Sequence, residues 1–156
     1  MKKDTGTDGL LNLYYPSTLD SVDLAEGEIL KEAETAGFDE DSQHRIGMAV
    51  RECMVNAVVH GNRYNRNKKV HVEVRVEGAG AEVAHPASRL IIRITDQGEG
   101  FELKEVPDPL HDSNLLRHSG RGLFLMSAFM DDMEVRKLSP MGTEVTLIKK
   151  IEPPDQ

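Results

Sequence analysis

The hydrophobic period of the chain changes between residues 46 and 76. Apolar residues first recur at spacings of three and four, at Ile46, Ala49, Val50, Cys53 and Ala57. Residues 70–76, VHVEVRV, then alternate apolar and polar side chains. The first pattern predicts a helix with one apolar face, and the second predicts a strand with one buried face. Each apolar surface needs a partner, so we expect helices packed on one face of a sheet.

The rest of the chain fits an α+β, two-layer sandwich. Further strands are predicted at residues 10–15, 90–95, 133–138 and 143–149. Helices are predicted up to Ala36, from Asp39 or Asp41 onward, and at residues 123–130. This order favours helices on one face of a mixed, mostly antiparallel sheet. Gly61-Asn62 is expected to close the second helix at a left-handed cap.

The predicted domain spans residues 10–150. Residues 1–9 are polar and are expected to form a flexible N-terminus, and residues 151–156 form a proline-bearing C-terminal tail. Between residues 97 and 122 no period is evident. Loops of that length inside a compact domain are commonly functional.

Composition and charge narrow the classes of function. The 156 residues include 38% hydrophobic residues and carry a formal net charge of −8. That content is sufficient for a packed core. The negative charge argues against direct binding to nucleic acid or to an anionic membrane surface. A basic protein partner would suit the charge, although acidity also simply keeps a domain soluble.

Cysteine usage and hydropathy indicate a cytoplasmic protein. Cys53 is the single cysteine, so neither an internal disulfide nor a thiolate zinc cluster can form. The most apolar stretch, residues 90–94, is far too short to span a bilayer. No apolar signal-peptide core follows Met1-Lys2-Lys3.

The second helix carries the first candidate site. Glu52 and Asn56 are four residues apart, so they share one helix face beside the apolar stripe. An amide oxygen can ligate magnesium that also binds phosphates and waters, and a carboxylate can serve as a base. Taken alone, the pair is more typical of a helix with solvated polar residues.

Two glycine-bearing motifs form the second and third candidates. Asp96-Gln97-Gly98-Glu99-Gly100 follows a predicted strand, where an aspartate could accept from an amine and glycines allow close approach of a ligand. Ser119-Gly120-Arg121-Gly122-Leu123 opens a predicted helix, and free N–H groups at a helix N-terminus favour phosphate. The alternatives are a plain turn and an ordinary loop end.

In combination these motifs resemble a known fold family. The order ExxxN, DxGxG, GxG and then Gly142-Thr143 is similar to the Bergerat-type ATP-binding fold of gyrase, Hsp90, histidine kinases and mismatch-repair ATPases. Within that fold the chain most resembles the bacterial anti-sigma-factor serine kinases of the sporulation and general-stress kind. Residues 51–61, RECMVNAVVHG, and 120–126, GRGLFLM, carry the likeness, which covers about residues 10–150.

The resemblance implies a role for each matched residue. Asp96 would bind the adenine amino group, supported by Thr143 through a water. Gly98 and Gly100 would form the floor of the adenine pocket. Asn56 would hold Mg²⁺, and Glu52 would be the general base. The phosphate contacts would come from Gly120, Arg121, Gly122 and Leu123, with residues 102–119 as an ATP lid that includes Arg117 or His118.

The implied function is that of an ATP-dependent protein serine kinase and anti-sigma factor. It would use ATP and Mg²⁺, phosphorylate a serine on a STAS-type antagonist, and sequester a sigma factor. The resemblance also suggests a homodimer formed through the N-terminal strand and first helix. Two alternatives stay open: a non-catalytic, nucleotide-gated protein-binding module, and a free-standing ATPase that switches another enzyme.

Overall fold

Six strands form one sheet in the computed structural model, which describes residues 3–5, 11–77, 88–98 and 126–151. Their order across the sheet is β1-β2-β3-β4-β6-β5, and every pairing between described strands is antiparallel. The strands are β1 (Lys3–Thr5), β2 (Leu11–Pro16), β3 (Lys69–Glu77), β4 (Arg89–Thr95), β5 (Asp132–Lys137) and β6 (Thr143–Lys150). The expected α+β sandwich is confirmed, and β1 lies within the segment predicted to be a flexible N-terminus.

Two helices connect β2 to β3. α1 spans Asp20–Ala36 and ends at Gly37, whose φ of 97° is left-handed. α2 spans Glu40–Val55 and is capped by Asp39, whose carboxylate accepts a hydrogen bond from the Ser42 backbone N–H at 2.7 Å. A side-chain acceptor at this position satisfies one of the unpaired N–H groups of the first turn. Within the described ranges, neither helix combines the length and apolarity that crossing a bilayer requires.

The core lies between the helices and one face of the sheet. Leu13, Val72, Ile94 and Val145 are direct neighbours across β2, β3, β4 and β6, and all four are buried. From the helix layer, the stripe predicted on α2 is buried among them. Alternation with period two therefore places the apolar half of each strand under the helices.

α2 continues into a π-helical segment, Asn56–Gly61. The Asn62 N–H donates to the Ala57 carbonyl at 2.8 Å, a five-residue hydrogen bond. The prediction of a left-handed cap at Gly61-Asn62 is wrong: Asn62 has φ −80°, and the left-handed residues are Arg63 and Tyr64. The left-handed residues therefore lie two positions later than predicted.

Candidate functional site

Asp96 lies immediately after β4, with 3% of its surface exposed. Its Oδ1 accepts hydrogen bonds from the backbone N–H groups of Gly98, at 2.9 Å, and Thr143, at 3.2 Å. Its own N–H donates to the Thr143 carbonyl at 2.9 Å. The carboxylate is thus fixed between the turn after β4 and the first residue of β6. Both of these hydrogen bonds are made to Oδ1, on one side of the carboxylate.

Burial raises the pKa of Asp96, and this effect outweighs three opposing ones. The N–H groups of Gly98 and Thr143 and the positive charge of Lys68 all favour the ionised carboxylate. A desolvated carboxylate with one oxygen already satisfied is well suited to accept a hydrogen bond from an amine at the other. Such charge-assisted bonds are stronger than neutral ones.

Glycines allow the backbone to close around this carboxylate. A Cβ atom on Gly61 would lie 2.4 Å from Asp96 Oδ2, and one on Gly98 would lie 1.9 Å from the Gly61 carbonyl oxygen. Gly142 has φ +113°, and a Cβ there would lie 2.6 Å from the Asp96 carbonyl oxygen. No side chain fits at those distances, so all three positions require glycine. Gly61 is needed for this close approach, not for a left-handed conformation.

The helix side of the site is formed where α2 changes to the π-helical segment. The backbone N–H of Asn56 donates to the carbonyls of Glu52 and Cys53, which keeps Glu52 and Asn56 on one face. Asn56 is 4% exposed, and neither Oδ1 nor Nδ2 has a hydrogen-bond partner in the described part of the chain. Burying an unpaired amide is costly, so this side chain fits a ligand better than a purely structural role. Single π turns within helices are also frequent at functional sites.

Glu52 is half-buried, and its Oε2 is shielded from solvent. Its neighbour Cys53 is fully buried, and both burial and the negative charge of Asp96 raise the pKa of the thiol. The end of the π-helical segment lies against the carboxylate, since a Cβ atom on Gly61 would be 2.4 Å from Asp96 Oδ2. The structure therefore brings together Asp96, Gly98 and Thr143, and it places Gly61, the last residue of the π-helical segment that begins at Asn56, against the same carboxylate.

Sequence reasoning missed Asn62, whose side chain is 2% exposed and joins the π-helical segment to the turn after Asp96. The Gly61-Asn62 pair is also typical of a helix cap, so nothing in the local sequence distinguishes the two roles. The remaining predicted site residues lie outside the described residues: Gly100, Arg117, Gly120, Arg121, Gly122 and Leu123, together with the predicted lid at 102–119.

Comparison with known proteins supports an ATPase fold. Residues 15–149 match the family model described as a histidine kinase-like ATPase domain. The anti-sigma F factor of Clostridium perfringens is 32% identical over 108 residues, covering 68% of this chain and 71% of that protein. The serine-protein kinase RsbW of Oceanobacillus iheyensis is 30% identical over 131 residues, covering 80% and 77%.

A solved structure has the same fold. The crystal structure of the RsbU and RsbW domains of a Mycobacterium tuberculosis protein aligns with 94% of this chain at a TM-score of 0.63. The sequence identity is 17%, and the aligned part is 34% of that longer polypeptide.

Proposed function

Because the chain belongs to the histidine kinase-like ATPase family, we propose that the site around Asp96 and Asn56 binds ATP with Mg²⁺ for transfer of a phosphate to a protein serine. Within that family the chain belongs to the branch of anti-sigma F factors and RsbW-type serine kinases. The chain is an ATP-binding protein serine kinase with an anti-sigma regulatory role. The observation that carries the assignment of the site is the buried, unpartnered amide of Asn56, on the helical segment whose end contacts Asp96.

Asp96 recognises the adenine. Its Oδ2 accepts a hydrogen bond from the exocyclic amine while Oδ1 stays bound to the two backbone N–H groups. Thr143 supports this contact through a water, and Gly98 and Gly100 form the floor of the base pocket. A site that holds a buried acceptor for an amine rejects purines that lack one, since the carboxylate would otherwise stay desolvated and unpaired.

Asn56 would hold the metal beside the phosphates. Its Oδ1 would be the protein ligand for Mg²⁺, an ion that prefers few protein oxygens together with phosphates and water. When bound, the metal neutralises phosphate charge. Backbone N–H groups of Gly120, Gly122 and Leu123 would bind the phosphates, as expected from the glycine-bearing motif. Arg121 and, in the lid that the family resemblance implies, Arg117 or His118 would add further phosphate contacts.

Glu52 is the general base. It accepts the proton of the substrate serine hydroxyl as the serine oxygen forms a bond to the γ-phosphorus and the bond to ADP breaks. Phosphoryl transfer depends mainly on positioning and on charge neutralisation, so a single well-placed carboxylate is sufficient as the base.

The partners follow from the family. We infer that the chain binds a sigma factor in one state and phosphorylates a small STAS-domain antagonist in the other, as a homodimer in the cytoplasm. The names of the relatives support an anti-sigma role in general, and the specific pair of partners is a proposal. The domain is proposed to span residues 10–150.

Replacing the base separates binding from chemistry. Glu52→Ala is expected to keep the ATP dissociation constant within about threefold and to lower the transfer rate about 100-fold or more, because general-base catalysis contributes roughly 10²–10⁴. The rate is measured as phosphate gained by a STAS-domain substrate. Glu40→Ala, an exposed position in the first turn of α2, is the matched control and should transfer at the wild-type rate. Equal rates for the Glu52 variant and wild type would refute the base assignment.

A further inference from the structure

Asn62 follows the π-helical segment and reaches three other parts of the chain. Its Oδ1 accepts from the Gln97 backbone N–H at 2.7 Å. Its Nδ2 donates to Ser17 Oγ at 3.0 Å and to the Lys69 carbonyl at 3.1 Å. One buried amide thus uses both its acceptor and its donors to join the end of β2, the start of β3 and the turn after β4.

These partners fix the orientation of the amide. The Gln97 N–H can only donate and the Lys69 carbonyl can only accept. Exchanging Oδ1 and Nδ2 would therefore place two donors against each other at Gln97 and two acceptors against each other at Lys69. Ser17 Oγ donates onward to the Lys68 carbonyl at 2.6 Å, which leaves it an acceptor toward Asn62. Asn62 therefore holds the Gln97 N–H in one direction.

The Gln97 N–H belongs to the peptide plane that follows Asp96. The next plane is held by the Gly98 N–H on Asp96 Oδ1, and Gly98 in turn accepts from the Gly142 N–H at 2.7 Å. Both peptide planes of the turn are therefore anchored. Loss of the first would free the peptide plane between Asp96 and Gln97 to rotate, although the Gln97 side chain would still accept from the Lys69 N–H at 2.6 Å.

We propose that Asn62 is a positioning residue for nucleotide selectivity: through the Gln97 N–H it holds Asp96 in the orientation that distinguishes an adenine amine from a 6-oxo purine. The proposal rests on the proposed function, because it needs Asp96 to bind the amine. Asn62 itself contacts no nucleotide in this account.

The ratio of ATP affinity to ITP affinity distinguishes a positioning role of Asn62 from simple structural support. Dissociation constants for ATP and for ITP, which carries a 6-oxo group in place of the amine, are measured for each variant. Asn62→Ala is expected to raise the dissociation constant for ATP about tenfold and to change that for ITP less than about threefold, so that the preference for ATP falls. General destabilisation of the fold would instead weaken the binding of both nucleotides by the same factor.

Ser17→Ala is the matched control. It removes one partner of Asn62 and the bond to the Lys68 carbonyl, but leaves the contact between Asn62 and Gln97 intact. It should lower the melting temperature as Asn62→Ala does and keep the wild-type ratio of ATP to ITP affinity. Asn62→Ser, which leaves a hydroxyl in the space, is carried through the same titrations in case the alanine variant does not fold.

The outcomes are distinguishable. A wild-type preference for ATP that persists in the folded Asn62 variants would overturn the positioning role and leave the proposed function intact. Loss of the preference in Ser17→Ala as well would also overturn it, since the contact with Gln97 would not be the cause. A wild-type chain that binds ATP and ITP equally would overturn both the positioning role of Asn62 and the assignment of adenine recognition to Asp96.

Discussion

Asp96 combines a structural cost with a functional gain. Its carboxylate is buried, and burial raises its pKa, so the ionised form is less stable in the folded chain than in the unfolded one. An amide of the same shape could still accept from the N–H groups of Gly98 and Thr143 without carrying charge. Activity and stability are therefore opposed at this position, as is common at binding sites.

Asp96→Asn should weaken ATP binding by about 1–3 kcal/mol, the range for losing a charge-assisted hydrogen bond. The same variant should have a higher free energy of unfolding than wild type at pH 7, measured by denaturant titration. Because the folded-state pKa is raised, protonation stabilises the wild type at low pH and that contribution is lost as pH rises. The advantage of the variant should therefore shrink as pH falls toward 3.8, the ordinary value for the group. A difference that grows on acidification would contradict the assigned direction.

At the residue scale the sequence was informative where a motif carries its own chemistry. Asp96 and Asn56 could be identified because their spacing and neighbours match a family pattern, and the structure gives both a buried setting. Asn62 could not be identified, since its partners lie 7, 35 and 45 positions away along the chain. Long-range hydrogen bonds leave no periodic signal in one sequence.

Replacing glycine by alanine is expected to change the free energy of unfolding in opposite directions at Gly27 in α1 and at Gly98 in the turn after β4. Gly27 lies exposed in the middle of α1, and a Cβ there would meet nothing within 4 Å. Gly27→Ala should raise the free energy of unfolding by about 0.5–1 kcal/mol, because alanine is the better helix former. Gly98→Ala would place a methyl group 1.9 Å from the Gly61 carbonyl and should destabilise by about 1–3 kcal/mol.

Both glycine variants are compared by denaturant unfolding in the same buffer. If both variants change the free energy of unfolding by the same amount and in the same direction, the close approach of backbone around Asp96 does not determine the effect at Gly98. A loss at Gly27 would indicate that α1 makes a contact there in solution.

At the element scale, hydrophobic period predicted most of the helices and strands to within one or two residues. The alternation at residues 70–76 identified β3 because one face of that strand is buried and the other is not. The π-helical segment was missed because its apolar residues continue the stripe of α2. The hydrophobic pattern of one sequence therefore does not distinguish four-residue from five-residue hydrogen bonds within a helix.

The whole molecule is proposed to be a homodimer formed through the N-terminal strand and α1. Leu24 on α1 is 51% exposed, and a large exposed apolar side chain on that helix fits such an interface. Sedimentation should give twice the chain mass of 17.4 kDa, and Leu24→Arg should shift the population toward monomer. Met48→Arg on α2, an exposed position of similar chemistry, is the control and should leave the dimer intact. A wild-type monomer at high concentration would contradict the proposal.

The whole chain is expected to transfer phosphate from ATP to a protein serine. The most direct test is the intact mass of a STAS-domain antagonist encoded nearby, after incubation with the purified wild-type chain and magnesium-ATP. We expect a single added phosphate, located on a serine and absent when Glu52→Ala replaces the wild type. An unmodified antagonist, under conditions where ATP is shown to bind, would contradict the claim and favour a nucleotide-gated binding module.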